Sequence, residues 1–555
     1  MGGPRVAIQL VRRNFRWIDL VAREPIVAPP ALLSIPGIRL VEPELGHPDP
    51  IWKLEVPSST WMLPDVAQAL QHFGHQSDAS SVIVPTWPGL YNYQQDAVQW
   101  LTEKHGGLLA LQLGLGKSRT SLVAARCMAA RSGRPVLICG PKYVRSTWQR
   151  EIRAVFGDEG YEFLALNSVT PTILMRRDAP LFIFCHYDIV HAWWSQIVAL
   201  QPCVTILDEA HLIRNPRTRR GKAAALAVST ATARILLTGT PIQNRPSELY
   251  SLLNFATGMW SWGKPSDFRI RYTGASTGIH GLVDGEPTNV EELRARLSCC
   301  LYQRSAEDVG LELPPVTRDI IYVDPTSKEQ EAYAELFDMY DPREALEAVL
   351  NSRASRSTTI WLDRLRKLAA EIKKETTLAL LHDLAEQGED VVVFSWQRVT
   401  AKRFGERAAR VAGITKSPVG IVHGEMSAAD REYAIDYFQA NGGTLSATYG
   451  ALSTGVTLDR ARIVVLHDLD YVPSTVLQAE GRVTGGLRRR NKHCIAKWIV
   501  ARGTLDELLV RTIGLKGNVI DTVLADQSAK QLGSFLGYKE TNATLDKVLA
   551  WARGV

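Results

Sequence analysis

The chain has 555 residues, 45% hydrophobic and 22% charged, with a formal net charge of +6. That is an ordinary globular composition with material for roughly three or four domains at about 150 residues each. No run approaches the ~18 apolar residues of a membrane span, the N-terminus has no apolar stretch of signal-peptide length, and the seven cysteines show no C-x-x-C spacing. Membrane-spanning, disulfide-framework and zinc classes are therefore excluded, and a soluble intracellular protein is expected.

Residues 1–85 carry no motif with evident chemistry. Trp52, Leu54 and Val56 alternate with Lys53 and Glu55, which predicts a strand. Pro64 opens a predicted helix with Val66, Ala69, Leu70 and Phe73 on one face. The stretch reads as a small α+β accessory module, serving nucleic-acid recognition or interdomain packing. Gln94 then lies in YNYQQDAVQW, where its amide and carbonyl suit an adenine edge.

An apolar run, Leu108 to Leu111, feeds a glycine-spaced turn with Gly114 and Gly116, then Lys117, Ser118 and a predicted helix. Glycines let backbone amides converge on phosphate oxygens, a lysine reaches the β and γ phosphates, and a serine hydroxyl ligates Mg²⁺. The first glycine usual in such loops is missing. Pro135 to Lys142 is a buried-type strand ending in a lysine, followed by a helix with Trp148 and Glu151; Leu181 to Tyr187 repeats the design. The strand Val204 to Leu207 delivers two adjacent carboxylates, Asp208 to hold Mg²⁺ through its water shell and Glu209 to orient and deprotonate the attacking water. A further strand from Arg234 ends in the hydroxyls of LLTGTPIQN, expected to hydrogen-bond the acidic pair. This βα alternation over residues 86–255 predicts a doubly wound parallel sheet.

From 255 to 300 the pattern loosens into a loop-rich insertion, and Leu313-Pro-Pro315 reads as a linker. A second series follows, with strands at Val391–Trp396, Gly420–Gly424, Leu445–Ala451, Ile463–His467 and Cys494–Val500. An amphipathic helix is predicted from Arg431 to Gln439. Arg482 follows a predicted helix that suits an arginine-finger role.

This ordered set of motifs resembles the superfamily 2 helicase-like motors, and among them the Swi/Snf-type double-stranded DNA translocases. It spans roughly residues 89 to 525: YNYQQDAVQWL, LGLGKS, LICGPKYVRSTWQREI, ILDEAHLIRNPRTRR, LLTGTPIQN, VVVFSW, IVHGEMSAADR, STGVTL, VPSTVLQAEGRVTG and WIVARGTLDELL. The QAEGRV wording is similar to the annealing-helicase and fork-remodelling branch. The resemblance implies an α/β fold of two tandem RecA-like lobes with parallel sheets, beside the N-terminal module and C-terminal helices. With the accessory module read at 1–85, the expected division is lobe 1 at 86–300, a linker at 301–325, lobe 2 at 326–515 and a helical extension at 516–555. By the same resemblance Gln94 contacts adenine, while Gly114, Gly116, Lys117 and Ser118 hold phosphate and metal. Asp208 and Glu209 carry metal and water, and Gly455 and Arg482 complete the site. Lys142, Tyr187, Ser395, His423 and Thr454 fall where the family touches the DNA backbone.

Two departures stand out. Leu111 and Gln112 replace the acidic pair usual before the glycine turn, and Gly485 replaces a second arginine, with Arg488, Arg489 and Arg490 following. The implied activity is ATP hydrolysis with Mg²⁺, driving movement along double-stranded or branched DNA beside replication, recombination or repair proteins, with no membrane. An RNA or single-strand helicase and a nucleotide-gated scaffold with little turnover are the alternatives. A microbial or virus-infected cytoplasm is the expected location.

Overall fold

The computed structural model describes the strands at 9–12, 17–22, 39–41 and 52–57, and residues 86–112, 114–130, 132–157, 160–167, 181–243, 245–257, 262–278, 281–310, 316–337, 356–411, 420–452, 458, 460–470, 472–484 and 493–524. The chain divides into two compact units, Met1–Leu111 with Gly116–Arg304, and Gln112–Leu115 with Ser305–Val555.

The first unit opens with an antiparallel sheet of β1 (Gln9–Arg12), β2 (Trp17–Ala22), β3 (Arg39–Val41) and β4 (Trp52–Pro57), ordered β1-β2-β4-β3. The alternating stretch at Trp52 is thus a strand; the helix predicted from Pro64 lies outside the described residues. Next come α1 (Asn92–Glu103), β5 (Gly106–Leu111), α2 (Lys117–Ala130), β6 (Val136–Gly140), α3 (Arg145–Phe156) and β7 (Glu162–Ala165). They are followed by β8 (Leu181–His186), α4 (Val190–Leu200), β9 (Val204–Leu207), α5 (Arg219–Ser229), β10 (Ala233–Leu237) and α6 (Leu249–Thr257).

The expected insertion holds α7 (Pro265–Thr273), a hairpin of β11 (Ser276–Gly278) and β12 (Gly281–Val283), and α8 (Val290–Leu297). The chain then returns to the sheet through β13 (Leu301–Arg304). The seven strands run β13-β5-β10-β9-β6-β8-β7, every pairing parallel. Strands β5, β6, β9 and β10 are buried along their whole length. Continuous apolar runs, rather than alternation, are what a sheet covered on both faces requires.

The second unit has its own parallel sheet. Its elements are β14 (Val316–Val323), α9 (Ser327–Phe337), α10 (Arg356–Glu386), β15 (Val391–Ser395), α11 (Arg398–Val411), β16 (Ile421–Val422) and α12 (Ala428–Asn441). They continue with β17 (Thr444–Thr448), β18 (Ile463–Leu466), α13 (Pro473–Thr484), β19 (Cys494–Ala501) and α14 (Leu505–Leu524). The order is β14-β19-β18-β15-β17-β16. Residues read from sequence as a linker therefore supply one strand to each sheet, β13 to the first and β14 to the second. Both are edge strands with half-exposed residues, so neither shows the apolar run that marks the central strands.

One polar cluster sits inside the second unit. Lys373 on α10 is fully buried, with its Nζ 2.8 Å from Asp506 Oδ2 and 3.6 Å from Asp468 Oδ1, and it donates to the His467 carbonyl. Asp506, from the GTLDE stretch, also accepts the Ala501 amide at 3.1 Å. Thr377 donates its single hydroxyl hydrogen to the Lys373 carbonyl at 3.0 Å, so His467 Nδ1, 2.8 Å away, must be the donor to Thr377.

Burial pushes the His467 imidazole down to about 4; the Lys373 charge adds to this and Asp468 opposes it. The folded value lies below the ordinary 6.5, so the stability held by the neutral ring is complete above pH 6.5. It is lost as pH falls from 6.5 towards 4, by about 3 kcal/mol in all. Asp468, held below its usual 3.8, acts only under that value. Urea unfolding of the second unit should therefore weaken between pH 7 and pH 5, and His467→Gln should flatten the slope. An unchanged midpoint over that interval contradicts the assignment.

Candidate functional site

The residues expected to bind nucleotide gather at the carboxyl ends of β5, β9 and β10, three neighbouring strands of the first sheet. In the turn after β5, Gly114 and Gly116 have φ of +88° and +81°, the left-handed region that glycine adopts without strain. A side chain at Gly116 would also collide with the Gln94 amide nitrogen. Gln94 is 2% exposed and accepts the Tyr91 amide at 3.0 Å through its side-chain oxygen. Its carboxamide thus seals the back of the glycine turn, with the oxygen already engaged in capping α1.

Lys117 starts α2 and donates to the Leu111 carbonyl at 2.8 Å. Its ammonium lies against Gly239, just past β10, where an added Cβ would stand 3.5 Å from Nζ. Ser118 follows on the same first turn. Lys117 therefore adds its charge to a helix N-terminus, the electrostatic setting for an anionic ligand.

The acidic pair follows β9. Asp208 Oδ2 accepts the Trp148 indole N–H at 2.9 Å and Oδ1 accepts the Glu209 amide at 2.8 Å. Burial, then the neighbouring Glu209 charge, pushes the Asp208 carboxyl up to about 7; the indole and amide donors and Lys117 pull the other way. A buried carboxylate raised in this way is stabilised by a cation, and its oxygens suit a hard, oxygen-ligated metal. Glu209 has φ 48° and ψ 51°, a left-handed backbone rare for a residue with a Cβ. That turn separates the two carboxylates, and Glu209 Oε2 lies 3.2 Å from His211 Nδ1.

The hydroxyls after β10 do not make the expected link to the acids. Thr238 Oγ1 accepts the Thr240 amide at 3.0 Å, and Thr240 Oγ1 is buried with no hydrogen-bond partner among the described residues. The two loops are joined instead by Arg214, which donates to the His211 carbonyl at 2.9 Å and to Gln243 Oε1 at 2.6 Å.

Of the expected DNA contacts, Lys142 is exposed beyond β6. Tyr187 is not: it is fully buried, and its hydroxyl donates to the Asp208 carbonyl at 2.7 Å, making it a prop under the acidic pair. Ser395 is likewise fully buried at the end of β15. His423 is nearly buried, and its imidazole is held below the usual range by burial and then by Lys402, Arg398 and Arg431. The Tyr187 and Ser395 side chains thus face the interior, since a polar residue ending a strand can turn inward as readily as outward, while His423 stands among three cations. In α13 Arg482 is buried, and its neighbour Glu480 is anchored by Arg318 at 2.8 Å and the Trp498 indole at 3.0 Å. Thr454, Gly455, Gly485 and Arg488 to Arg490 lie outside the described residues.

Two parallel α/β sheets, the first presenting a lysine-bearing glycine turn beside an acidic pair, define a phosphate-loop type of chain. Its membership follows from the comparisons. A family profile described as SNF2-related domain matches residues 93–374, and a second, helicase conserved C-terminal domain, matches 372–484. The chain belongs to the SNF2-related family.

Among curated relatives, a Xenopus tropicalis protein named SWI/SNF-related matrix-associated actin-dependent regulator of chromatin subfamily A-like protein 1 is 29% identical over 78% of this chain and 44% of its own length. The Xenopus laevis protein of the same name is 29% identical over 76% of this chain and 42% of its own. The chain thus spans less than half the length of these two relatives. A solved Sulfolobus solfataricus SWI2/SNF2 ATPase core in complex with dsDNA is 19% identical, covering 83% of this chain and 96% of that one, with a TM-score of 0.37.

The expected cytoplasmic location is overturned. The two Xenopus relatives are named for chromatin regulation and a Saccharomyces cerevisiae relative is named a chromatin-remodeling complex ATPase, names that run against that expectation. Among the described residues no helix is long and apolar enough to cross a membrane.

Proposed function

We propose that this chain is an ATP-dependent DNA translocase that hydrolyses ATP to move along or remodel duplex or branched DNA. The observation that supports this most is the placing of Lys117, Asp208 and Glu209 after β5 and β9, the two strands that flank β10, in a chain of the SNF2-related family. In this reading Gly114, Gly116 and Lys117 take the phosphates, and Gln94 borders the adenine. Ser118 and Asp208 would hold Mg²⁺, which supplies charge neutralisation to the phosphates when bound. Glu209 orients the attacking water and accepts its proton. By resemblance to the family, Arg482 and Gly455 are assigned to ATP hydrolysis, and Thr454 and Lys142 to the DNA backbone. Residues 1–85 act as an accessory module, and the lobes expected at 86–300 and 326–515 extend to take in β13 and β14 respectively.

Grip on phosphates rather than bases makes binding independent of sequence and steeply dependent on salt. The test is the steady-state rate of ATP hydrolysis with duplex, forked and single-stranded DNA and with RNA, at two salt concentrations. Duplex or forked DNA should stimulate most, and the stimulation should shrink at the higher salt. Preferential stimulation by RNA or single strands would favour an unwinding helicase. Tight ATP binding with no phosphate release on any ligand would favour a nucleotide-gated scaffold.

A further inference from the structure

The loop carrying Glu209 continues into a braced turn that ends in exposed arginines. Arg214 stands between the two. Its Nη1 donates to the His211 carbonyl at 2.9 Å and to Gln243 Oε1 at 2.6 Å, and its Nε lies 3.2 Å from Glu248 Oε1. Glu248 in turn accepts the Gln243 amide at 2.8 Å. One guanidinium therefore ties the acid loop to the segment 243–248. That segment is fixed at its far side as well, since Ser247 donates to Asp284 at 2.5 Å and Asp284 accepts from Arg269 at 2.7 Å.

The turn that follows Arg214 has no slack. Thr218 Oγ1 donates to the Asn215 carbonyl at 2.8 Å, Gly221 donates its amide to Thr218 Oγ1 at 3.1 Å, and Arg217 donates its amide to Asn215 Oδ1 at 3.0 Å. Gly221 is pressed against the Asn215 carbonyl, and a Cβ there would come within 2.7 Å of Pro216 Cα. The turn delivers Arg217, Arg219 and Arg220 to the start of α5, and Arg217 and Arg219 are exposed. Cations at a helix N-terminus oppose the helix dipole. Asp188 offsets part of that cost, accepting from Arg219 at 3.0 Å through its carbonyl and from Arg220 at 3.2 Å through Oδ1. A phosphate would offset the rest.

We infer that Arg214 is a positioning residue that couples polyanion binding on the 217–220 arginines to the placement of Glu209. Force on the braced turn reaches Arg214 within a few bonds, and from there His211, whose ring touches the Glu209 carboxylate at 3.2 Å. Gln243 and Glu248 are the fixed points against which Arg214 holds the acid loop. The inference rests on the reading of the chain as a DNA-stimulated ATPase.

The experiment compares ATP hydrolysis with and without duplex DNA for the full chain, Arg214→Ala, Arg214→Lys, Gln243→Ala and the Arg214→Ala/Gln243→Ala pair. Arg214→Ala should keep the DNA-free rate and the KM for ATP within about twofold and lose DNA stimulation by about tenfold, the size of an ordinary coupling free energy. Arg214→Lys should recover part of it, because a lysine keeps the Glu248 pairing but not the fork onto His211 and Gln243. Gln243→Ala should show the same selective loss, and the double variant should lose little more than either single one. If Arg214→Ala proves too unstable to assay, the same selective loss in Gln243→Ala and Arg214→Lys supports the inference. Full retention of stimulation in the variants overturns it, and so does a parallel fall of both rates. A wild-type chain that DNA does not stimulate overturns the underlying reading and this inference together.

Discussion

Glu209→Gln should bind ATP as the natural chain does while hydrolysing it more slowly by about 10²–10⁴-fold, the usual contribution of a positioned general base. The substitution keeps side-chain size and tolerates the same left-handed backbone, so the lobe should stay folded. What it removes is the carboxylate proposed to take the proton, which lies 3.2 Å from His211 Nδ1. Lys117→Ala should act differently. Its ammonium bridges the end of β5 and Gly239, where the terminal phosphates are proposed to lie, so both affinity and turnover should fall. Equilibrium nucleotide binding measured beside phosphate release separates the two outcomes. Near-normal release from either variant would remove the proposed site from this cleft.

The second large effect concerns stability. Lys373 is enclosed with Asp506 at 2.8 Å and Asp468 at 3.6 Å, so Asp506→Asn withdraws its nearer counter-charge. Removing one partner of a buried pair costs up to about 3–5 kcal/mol, of which Asp468 at 3.6 Å offsets a part. Out of a domain total of roughly 5–15 kcal/mol that is enough to unfold much of the second unit at moderate temperature. A Lys373→Met/Asp506→Asn double variant should recover part of the loss, since the lysine no longer stands without its nearer partner, while Asp468 loses Lys373 but keeps the Trp396 amide at 2.8 Å. Thermal or urea unfolding of the three proteins decides it, and an Asp506→Asn midpoint equal to that of the natural chain would show the pairing to be energetically idle.

The legible part of the sequence was the part whose chemistry is local. A glycine turn directly after an apolar strand, and two acids directly after another, declare themselves over a dozen residues. Their partners do not, because these come from distant stretches. Trp148 and Asp208 stand 60 positions apart, and Arg214 and Gln243 stand 29 apart. Nothing in a strand–helix pattern says which indole or guanidinium will meet which acid. Tyr187 shows the reverse problem. Its place at the end of β8 suggested a ligand contact, yet an aromatic ring large enough to fill the space beneath the acidic pair is turned inward by packing. Central strands were found by their unbroken apolar character, whereas β13 and β14 were read as connector because an edge strand shares half its surface with water.

The edge position of β13 sets a rule for dissecting the chain. Its register places Leu301 beside Leu108 and Arg304 beside Leu111, while the Leu108 amide is met at 2.8 Å by the Cys300 carbonyl. A fragment ended at residue 300, where the first lobe was expected to stop, would strip the outer neighbour from the very strand that feeds the glycine turn. Bare strand rims recruit strands from other molecules. Such a fragment should clump or exchange segments, whereas one carried past Arg304 keeps its rim covered.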